Sequence, residues 1–421
     1  MIVLVLNCGS SSLKYQLLDM KSDEVYDLIA KGLVERIGME TGCLKHQATG
    51  KEKLVKEMPI EDHTVGIRAV MDALLDKEYG VLTTLEDIEA VGHRVVHGAE
   101  EFVCSQLITD KVIAQLEKCS VFAPLHNPAN ILGIKAVSAV LPTVPQVGVF
   151  DTAFHQTMPA EAYTYPLPMS MIENDGIRRY GMHGTSHKFV SQEMNKILGS
   201  TDTKIITCHI GNGSSISAVK NGKCIDTSMG FTPLAGVEMG TRCGSIDPAI
   251  VPFIMKKHNI GVDEISDFLN KKCGFLGVSE YSSDSRDIEA AIRGNFNADL
   301  KTCPTTDEGK ARVSKNCKLA AEILAYQVKQ YIGSYTAAMN GLDAIVFTAG
   351  MGENNTELRE RVCRNMEYFG IELDTEKNAK TFRQSDIVEI STPTSKVKVY
   401  VLPTNEELMI AMDTERLVNG K

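Results

Sequence analysis

A short apolar stretch that halts on a polar glycine–serine turn and resumes as a second apolar stretch occurs twice in this chain, and this repeat restricts its fold more than any other feature. Near the start, Ile2–Leu6 (IVLVL) stops at Asn7-Cys8-Gly9-Ser10-Ser11-Ser12 and resumes as LKYQLL. Past the midpoint, KIITCHI runs into Gly211-Asn212-Gly213-Ser214-Ser215 and resumes as ISAV. Alternation and β-branched residues make each flank a strand. Each turn is longer and more polar than a tight hairpin needs. One reading is an ordinary loop. The other is a nest of backbone N–H groups and hydroxyls, with Lys14 beside the first, that holds a phosphate. Laying Asn7–Ser11 on Gly211–Ser215 aligns strand with strand on both sides, which suggests two related, mixed β/α halves.

The length of 421 residues is that of two or three domains. A net charge of −10 argues against nucleic acid or an anionic membrane as partner, so an anionic ligand must be met by particular Arg, Lys and His side chains. The 11 cysteines include no CxxC pair. There is no basic leader, and no apolar run approaches a span of roughly 20 residues. These features describe a soluble, reduced, cytoplasmic protein whose cysteines are mostly small core residues.

Helical spacing places a helix over HTVGIRAVMDALLDKEYG, with Gly80 as its end, and another from Asn127 as N-cap and Pro128 as first residue. Asn221-Gly222 reads as a hairpin turn, and Gly294–Gly309 as an exposed insertion. A long helix stops at Gly341. VPQVGVF is a strand ending on Asp151, which places that carboxylate at the mouth of an α/β sheet. There it could bind Mg²⁺, orient a nucleophile or cap a helix. Neither GxxxxGK[ST] nor a strand leading into GxGxxG is present, so a nucleotide would be held otherwise. A third glycine turn, Gly350–Asn354, opens a helix whose free N–H groups favour the phosphate–sugar part of a nucleotide. His183 and His187 have HxxxH spacing, but Gly184 lies between them and the HExxH glutamate is missing, which disfavours zinc. His183 suits a hydrogen-bond donor to an oxyanion, or a plain core histidine. Arg94 and Arg242 sit beside glycines, where a planar fork can meet carboxylate or phosphate, or close a structural ion pair.

Ten blocks occur in order: NCGSSSLKYQL, GHRVVHG, PLHNPAN, VFDTAFHQTMP, RRYGMHGTSH, HIGNGSS, DTSMGFTPLAGVEMGTR, SSDSRDI, VFTAGMGEN and PTNEEL. Together they resemble the acetate kinase (acetokinase) family from Ile2 to the last helix. That family lies in the superfamily of actin, sugar kinases and heat-shock ATPase chaperones. The resemblance implies an α/β fold of two duplicated ribonuclease H-like (actin-like ATPase) domains with an interdomain nucleotide cleft. The first would be residues 1–150 plus about 408–421, binding acyl group and phosphate; the second, 151–407, would bind nucleotide. It implies reversible, Mg²⁺-dependent transfer of the ATP γ-phosphoryl group to acetate by direct in-line attack, giving acetyl phosphate and ADP. Mn²⁺ is the alternative metal. It also implies a cytoplasmic homodimer with no nucleic-acid or membrane partner.

By the same resemblance, Asn7 and Glu406 would hold the metal, with Glu407 as the adjacent alternative. Ser10, Ser12 and Lys14 would meet phosphates. His209, Ile210, Gly211, Asn212 and Gly213, then Asp284, Ser285 and Arg286, then Gly350, Met351, Gly352, Glu353 and Asn354 would form the nucleotide site. Arg94 would bind the acyl substrate, Asp151 would be the catalytic carboxylate, and His183 and Arg242 would stabilise the moving phosphoryl group. Val96, Leu125, Met182 and Pro233 would line a pocket for the methyl group. Met182 stands where the family commonly has phenylalanine, which puts acyl-chain selectivity in question. Cys243, beside Arg242, is either a reactive thiol or a buried, inert cysteine. The rival readings are a propionate or butyrate kinase, a pyrophosphate-dependent relative, and an ATP-binding chaperone or filament protein on the same fold. The intact GMGEN and SSDSRD blocks favour a nucleotide over pyrophosphate.

Overall fold

The first apolar stretch is strand β1 (Ile2–Cys8), and it turns through Gly9, whose N–H donates to Ser12 O at 2.8 Å, into β2 (Ser12–Ser22). Pairing is antiparallel, with Asn7 opposite Lys14. The computed structural model describes residues 1–22, 25–124 and 126–420. The chain divides into one unit of Met1–Gln156, Gly184–Ser186 and Asn405–Lys421 and a second of Thr157–His183 and His187–Thr404.

The first unit continues with β3 (Val25–Glu35), β4 (Gly42–Ala48), β5 (Leu54–Met58), β6 (Ala90–Val95), β7 (Gln106–Leu107) and β8 (Gln146–Phe150). They make one sheet in the order β5-β4-β3-β2-β1-β6-β8-β7. The hairpin strands β1, β2 and β3 are antiparallel; β1, β6 and β8 are parallel. Alternation sends Leu4, Leu6 and Cys8 into one core with Ile67, Val70 and Leu74 of the helix His63–Leu75 and Ala136 and Val137 of the helix Asn127–Val140. The opposite face of β6 takes the C-terminal helix Glu406–Val418, and a Cβ on Gly92 would sit 2.5 Å from Thr414 Oγ1. Only glycine lets that helix lie so close.

The second unit contains β9 (Lys204–Ile210), β10 (Ser214–Lys220), β11 (Lys223–Thr227), β12 (Ala344–Thr348), β13 (Val388–Glu389) and β14 (Lys398–Val401), in the order β11-β10-β9-β12-β14-β13. Again the first three are antiparallel, and β9, β12 and β14 are parallel. Strands β1, β2, β3, β6 and β8 therefore correspond one by one to β9, β10, β11, β12 and β14. The α/β class and the duplication follow from this shared order, and both glycine–serine turns join the first and second strands of their sheets. The helix Asp307–Met339 packs Ala320, Leu324, Val328 and Ile332 into the core that also holds Ile206, Cys208 and Phe347. Among the described residues no helix is long and apolar enough to cross a membrane.

Several sequence expectations are corrected. The helix from His63 stops at Leu75, not at Gly80, because Asp76 leaves helical geometry at ψ 138° and its carboxylate accepts from the N–H groups of Glu78 and Tyr79. His126, not Asn127, is the N-cap of the next helix; Asn127 has turned its amide toward His97. Gly350–Asn354 is not a turn before a helix but lies within the short helix Ala349–Asn354. In the Gly294–Gly309 segment, Phe296 and Leu300 pack on the second core, so the segment is not simply exposed. The Asn221-Gly222 turn is as expected, with φ of 54° and 74°.

One buried group is out of balance with its surroundings. Glu238, 2% exposed, has neither carboxylate oxygen in a hydrogen bond of normal geometry among the described residues, while its backbone N–H donates to Gln327 Oε1 at 2.6 Å. Burial pushes its carboxyl from 4.5 up to about 8, with a backbone group at Leu324 opposing only in part. The stability that comes from a protonated Glu238 is complete below 4.5 and is lost as pH rises through about 8. A shift of this size is on the order of 5 kcal/mol. Replacing Glu238 with Gln should flatten the fall in thermal midpoint between about pH 5 and about pH 9. Parallel curves for the two proteins would refute this.

Candidate active site

Parallel register puts Arg94 of β6 beside Val149 of β8, so Asp151, two residues further on, points to the same face as Arg94. The arginine grips the carboxylate with two edges: Nη2 donates to Oδ2 at 2.6 Å, and Nε lies 3.1 and 3.2 Å from Oδ2 and Oδ1. Asp151 is fully buried, and Thr185 Oγ1 donates to its Oδ1 at 3.3 Å. Gly184 N–H donates to Asp151 O at 2.9 Å, and a Cβ at Gly184 would stand 2.1 Å from that oxygen. Burial works against the Arg94 charge, but the carboxylates of Asp151 and Glu406 outweigh it and hold the guanidinium above its ordinary range. Among the described residues Arg94 Nη1 makes no hydrogen bond and remains available to a ligand.

The same unit brings two further carboxylates to this place. Burial drives the Glu406 carboxyl up to about 7; Arg94 and Lys14 oppose this, whereas the charges of Asp151 and Glu407 add to it. Glu406 Oε1 is buried and has no hydrogen-bond partner among the described residues. Lys14, opposite Asn7, pairs with Glu407. Among the described residues no three His, Cys, Asp or Glu side chains form a ready-made metal cage. Mg²⁺ needs no such cage, since it keeps waters and takes one or two carboxylates plus substrate phosphates. A buried carboxylate oxygen with no donor, among crowded negative charges, fits a dication.

Residues that the sequence reading left without a role hold the first turn in place. Asn130 Nδ2 donates to Cys8 O at 2.7 Å, and its Oδ1 accepts from Val96 N at 3.1 Å, tying the end of β1 to the end of β6. Asn127 holds the backbone of His97 from both sides: its Oδ1 accepts from His97 N at 3.1 Å and its Nδ2 donates to His97 O at 2.8 Å. His63 Nε2 lies 2.8 Å from Gly9 O. The signal was present in the paired asparagines of NPAN, one helical turn apart. Ser10 is exposed and Ser12 half-buried on this turn. Val96 is buried beside it, and Leu125 lies outside the described residues.

In the second unit a cavity of about 900 Å³ is lined by Gly211, Asn212, Asp284, Ser285, Arg286, Gly350, Met351 and Asn354, as expected, and also by Arg293, Glu357, Phe382 and Arg383. His209, Ile210, Gly213, Gly352 and Glu353 do not line it. His209 and Ile210 are buried in β9. Glu353 turns inward, and its Oε1 accepts from Ala349 N at 2.8 Å and Thr404 N at 3.3 Å. Arg286 grips Asp284 with Nε and Nη2 and holds its carboxyl below the usual range.

The second glycine turn converges with an arginine and a histidine. A Cβ on Gly213 would lie 3.5 Å from Arg242 Nη1 and 3.6 Å from the His183 ring. His183 has left-handed φ of 58° and stacks on His209 with centroids 4.1 Å apart. Its Nδ1 lies 2.9 Å from Ser215 Oγ, which also lies 2.7 Å from His187 Nε2, while His187 Nδ1 lies 2.7 Å from Thr207 Oγ1. The HxxxH pair is thus joined through a serine. Arg242 is half-buried and makes no ion pair among the described residues, and burial alone lowers its pKa. Met182 packs with Met229 and Met239 in a small buried cluster, and Pro233 is half-buried. Of the two readings of Cys243 the inert one is favoured: burial raises its thiol pKa, and Arg242 does not lower it.

A family model described as the Acetokinase family matches residues 2–412. The chain is 55% identical, over the whole of both chains, to a protein from Carboxydothermus hydrogenoformans named acetate kinase. It is similar to the crystal structure of Porphyromonas gingivalis acetate kinase, with a TM-score of 0.90, 47% identity and 99% of each chain covered. It is also similar to the structure of a propionate kinase from Francisella tularensis, with a TM-score of 0.86, 38% identity and 99% of each chain covered.

Proposed function

This chain belongs to the acetokinase family, and on that premise we propose that it transfers the γ-phosphoryl group of ATP to acetate, reversibly, giving acetyl phosphate and ADP. The observation that carries this is the 55% identity along the whole chain to an acetate kinase. The site geometry supports it from both units.

A carboxylate is already a nucleophile, so the reaction needs no strong base. It needs two anions held together and the charge on the moving phosphoryl group offset. An acetate oxygen attacks the γ-phosphorus in line, and the bond to the bridging oxygen breaks, leaving its electron pair on ADP. Arg94 binds the acetate carboxylate through Nη1, since Nε and Nη2 are held by Asp151. Asp151 keeps that arginine in one orientation. Arg242 and His183, beside Gly213, meet the equatorial oxygens of the phosphoryl group, and the Ser215–His187–Thr207 chain orients His183. Ser10, Ser12 and Lys14 meet phosphates, and the cavity around Gly211, Asp284–Arg286 and Gly350–Asn354 takes the nucleotide. Glu406, with Asn7 and with Glu407 as the alternative, would hold Mg²⁺, whose chemistry is to neutralise phosphate oxygens. By the family resemblance, Met182, Val96, Leu125 and Pro233 would line the methyl site. A cytoplasmic homodimer is part of the same reading.

Mixing protein, ATP, Mg²⁺, acetate and hydroxylamine should yield acetyl hydroxamate; its absence overturns the proposal. Arg242→Ala should keep its fold, because Arg242 has no ion pair to lose among the described residues, and should reduce kcat about 10²–10³-fold. Arg94→Ala should lose activity and also stability, because it strips the buried Asp151 of its partner. Wild-type turnover by Arg242→Ala would remove it from the site.

Glu406→Gln relieves the crowding of carboxylates, so its metal-free form should melt higher than wild type, while its Mg²⁺-dependent turnover falls at least about 100-fold. Millimolar Mg²⁺ with ADP should raise the wild-type midpoint more than that of the variant. Equal shifts would take Glu406 out of the metal site.

The likeness to a propionate kinase and the adaptable Met182–Met229–Met239 cluster favour a second substrate. Since one methylene is worth about 1–3 kcal/mol, propionate should be used with kcat/KM about 10–200-fold below acetate. A higher kcat/KM for propionate would reverse the assignment of substrate.

A further inference from the structure

Most of the residues that line the second unit's cavity are polar or charged, and their charges are largely matched in pairs. Arg286 is paired with Asp284, Arg293 with Glu357, and Glu289 with Arg361. Two lining residues break this pattern. Phe382 is the only aromatic side chain among the cavity's described lining residues, and it is 47% exposed. Arg383, next to it, makes no ion pair among the described residues; its guanidinium instead lies 4.9 Å from the Phe382 ring centroid. Water is a poor partner for an exposed ring, and the cation supports it from one side.

The backbone carries a further expense at the same point. Arg383 has φ of 53°, in the left-handed region that residues with a Cβ avoid. It is kept there by its own N–H, which donates to Asn354 Oδ1 at 3.1 Å, while Asn354 Nδ2 donates to Gly350 O at 2.9 Å. The strained residue is therefore tied to the short glycine-rich helix, and an exposed aromatic–cation pair is held against the cavity by specific hydrogen bonds. Burial of hydrophobic core does not require this arrangement. A flat, polarisable ligand in the cavity would.

We propose that Phe382, backed by Arg383, is the stacking platform for the base of the nucleotide. This rests on the reading of the cavity as the nucleotide site and names the residue that recognises the base. A ring face reads the π-face of a base and not its edge, so affinity comes from stacking rather than from matched hydrogen bonds. Arg383 is a positioning residue, since it acts through the ring.

The chain contains no tryptophan, so Phe382→Trp installs a single indole reporter. Titration with ADP should change its emission saturably, and tripolyphosphate with Mg²⁺, which has no base, should not. Phe382→Ala should raise KM for ATP about 10-fold or more, with a much smaller change in kcat and none in KM for acetate, and Phe382→Tyr should restore the wild-type KM. Indole emission indifferent to ADP in a protein that still forms acetyl hydroxamate would overturn the proposal and leave the acetate kinase reading intact. An unchanged KM for ATP in Phe382→Ala would overturn it equally. A saturable ADP response without hydroxamate would uphold the base platform and sink the acetate reading instead.

Discussion

The candidate site of the first unit depends on one buried ion pair, Arg94 with Asp151. A carboxylate with no exposure needs a counter-charge and hydrogen bonds to be accommodated. The parallel pairing of β6 and β8 supplies both, because it brings the last residues of adjacent strands to one face. The arginine is held by two of its donor edges, so its third points where the carboxylate leaves room. Gly184 must be glycine because its N–H reaches the Asp151 carbonyl, and Glu406 feels both members of the pair. The negative crowding that remains is the kind of local instability that a bound cation removes.

The two sheets share an order and an early hairpin, yet their turns differ in charge. In the first, Lys14 follows the serines and is paired with Glu407. The second has no lysine in its turn; Arg242 and His183 approach Gly213 from other segments. Glycine at that position keeps the backbone bare so that the Arg242 guanidinium and the His183 ring can come within van der Waals distance. Duplication thus preserved a backbone shape suited to anions, and the halves diverged in where positive charge is supplied.

The parts of the structure that were legible beforehand are those set by local pattern. Apolar and β-branched runs marked β1, β2, β8, β9 and β10, and Asn221-Gly222 marked its turn. Asp151 could be placed at a strand's end because the apolar run before it stops there. Chain ends of helices were read less well, because capping depends on competing side-chain contacts. Asp76 ends its helix four residues before Gly80, and Asn127 gives its amide to His97 rather than to the helix start. Cys243 was left open for a similar reason: proximity in sequence to Arg242 says nothing about burial, which raises the thiol.

By itself, the sequence determined the α/β class, the doubled glycine–serine hairpin, the family resemblance and the residue types that could meet phosphate and carboxylate. Each of these resides in order along the chain, and strand alternation and motif spacing are local properties. Only the tertiary structure decided that Arg94 grips Asp151, that Glu406 is crowded by carboxylates, that Ser215 joins His183 to His187 and that Phe382 faces a cavity. Those facts concern side chains far apart in the chain, and their energies are set by burial and by which charges share a low-dielectric space.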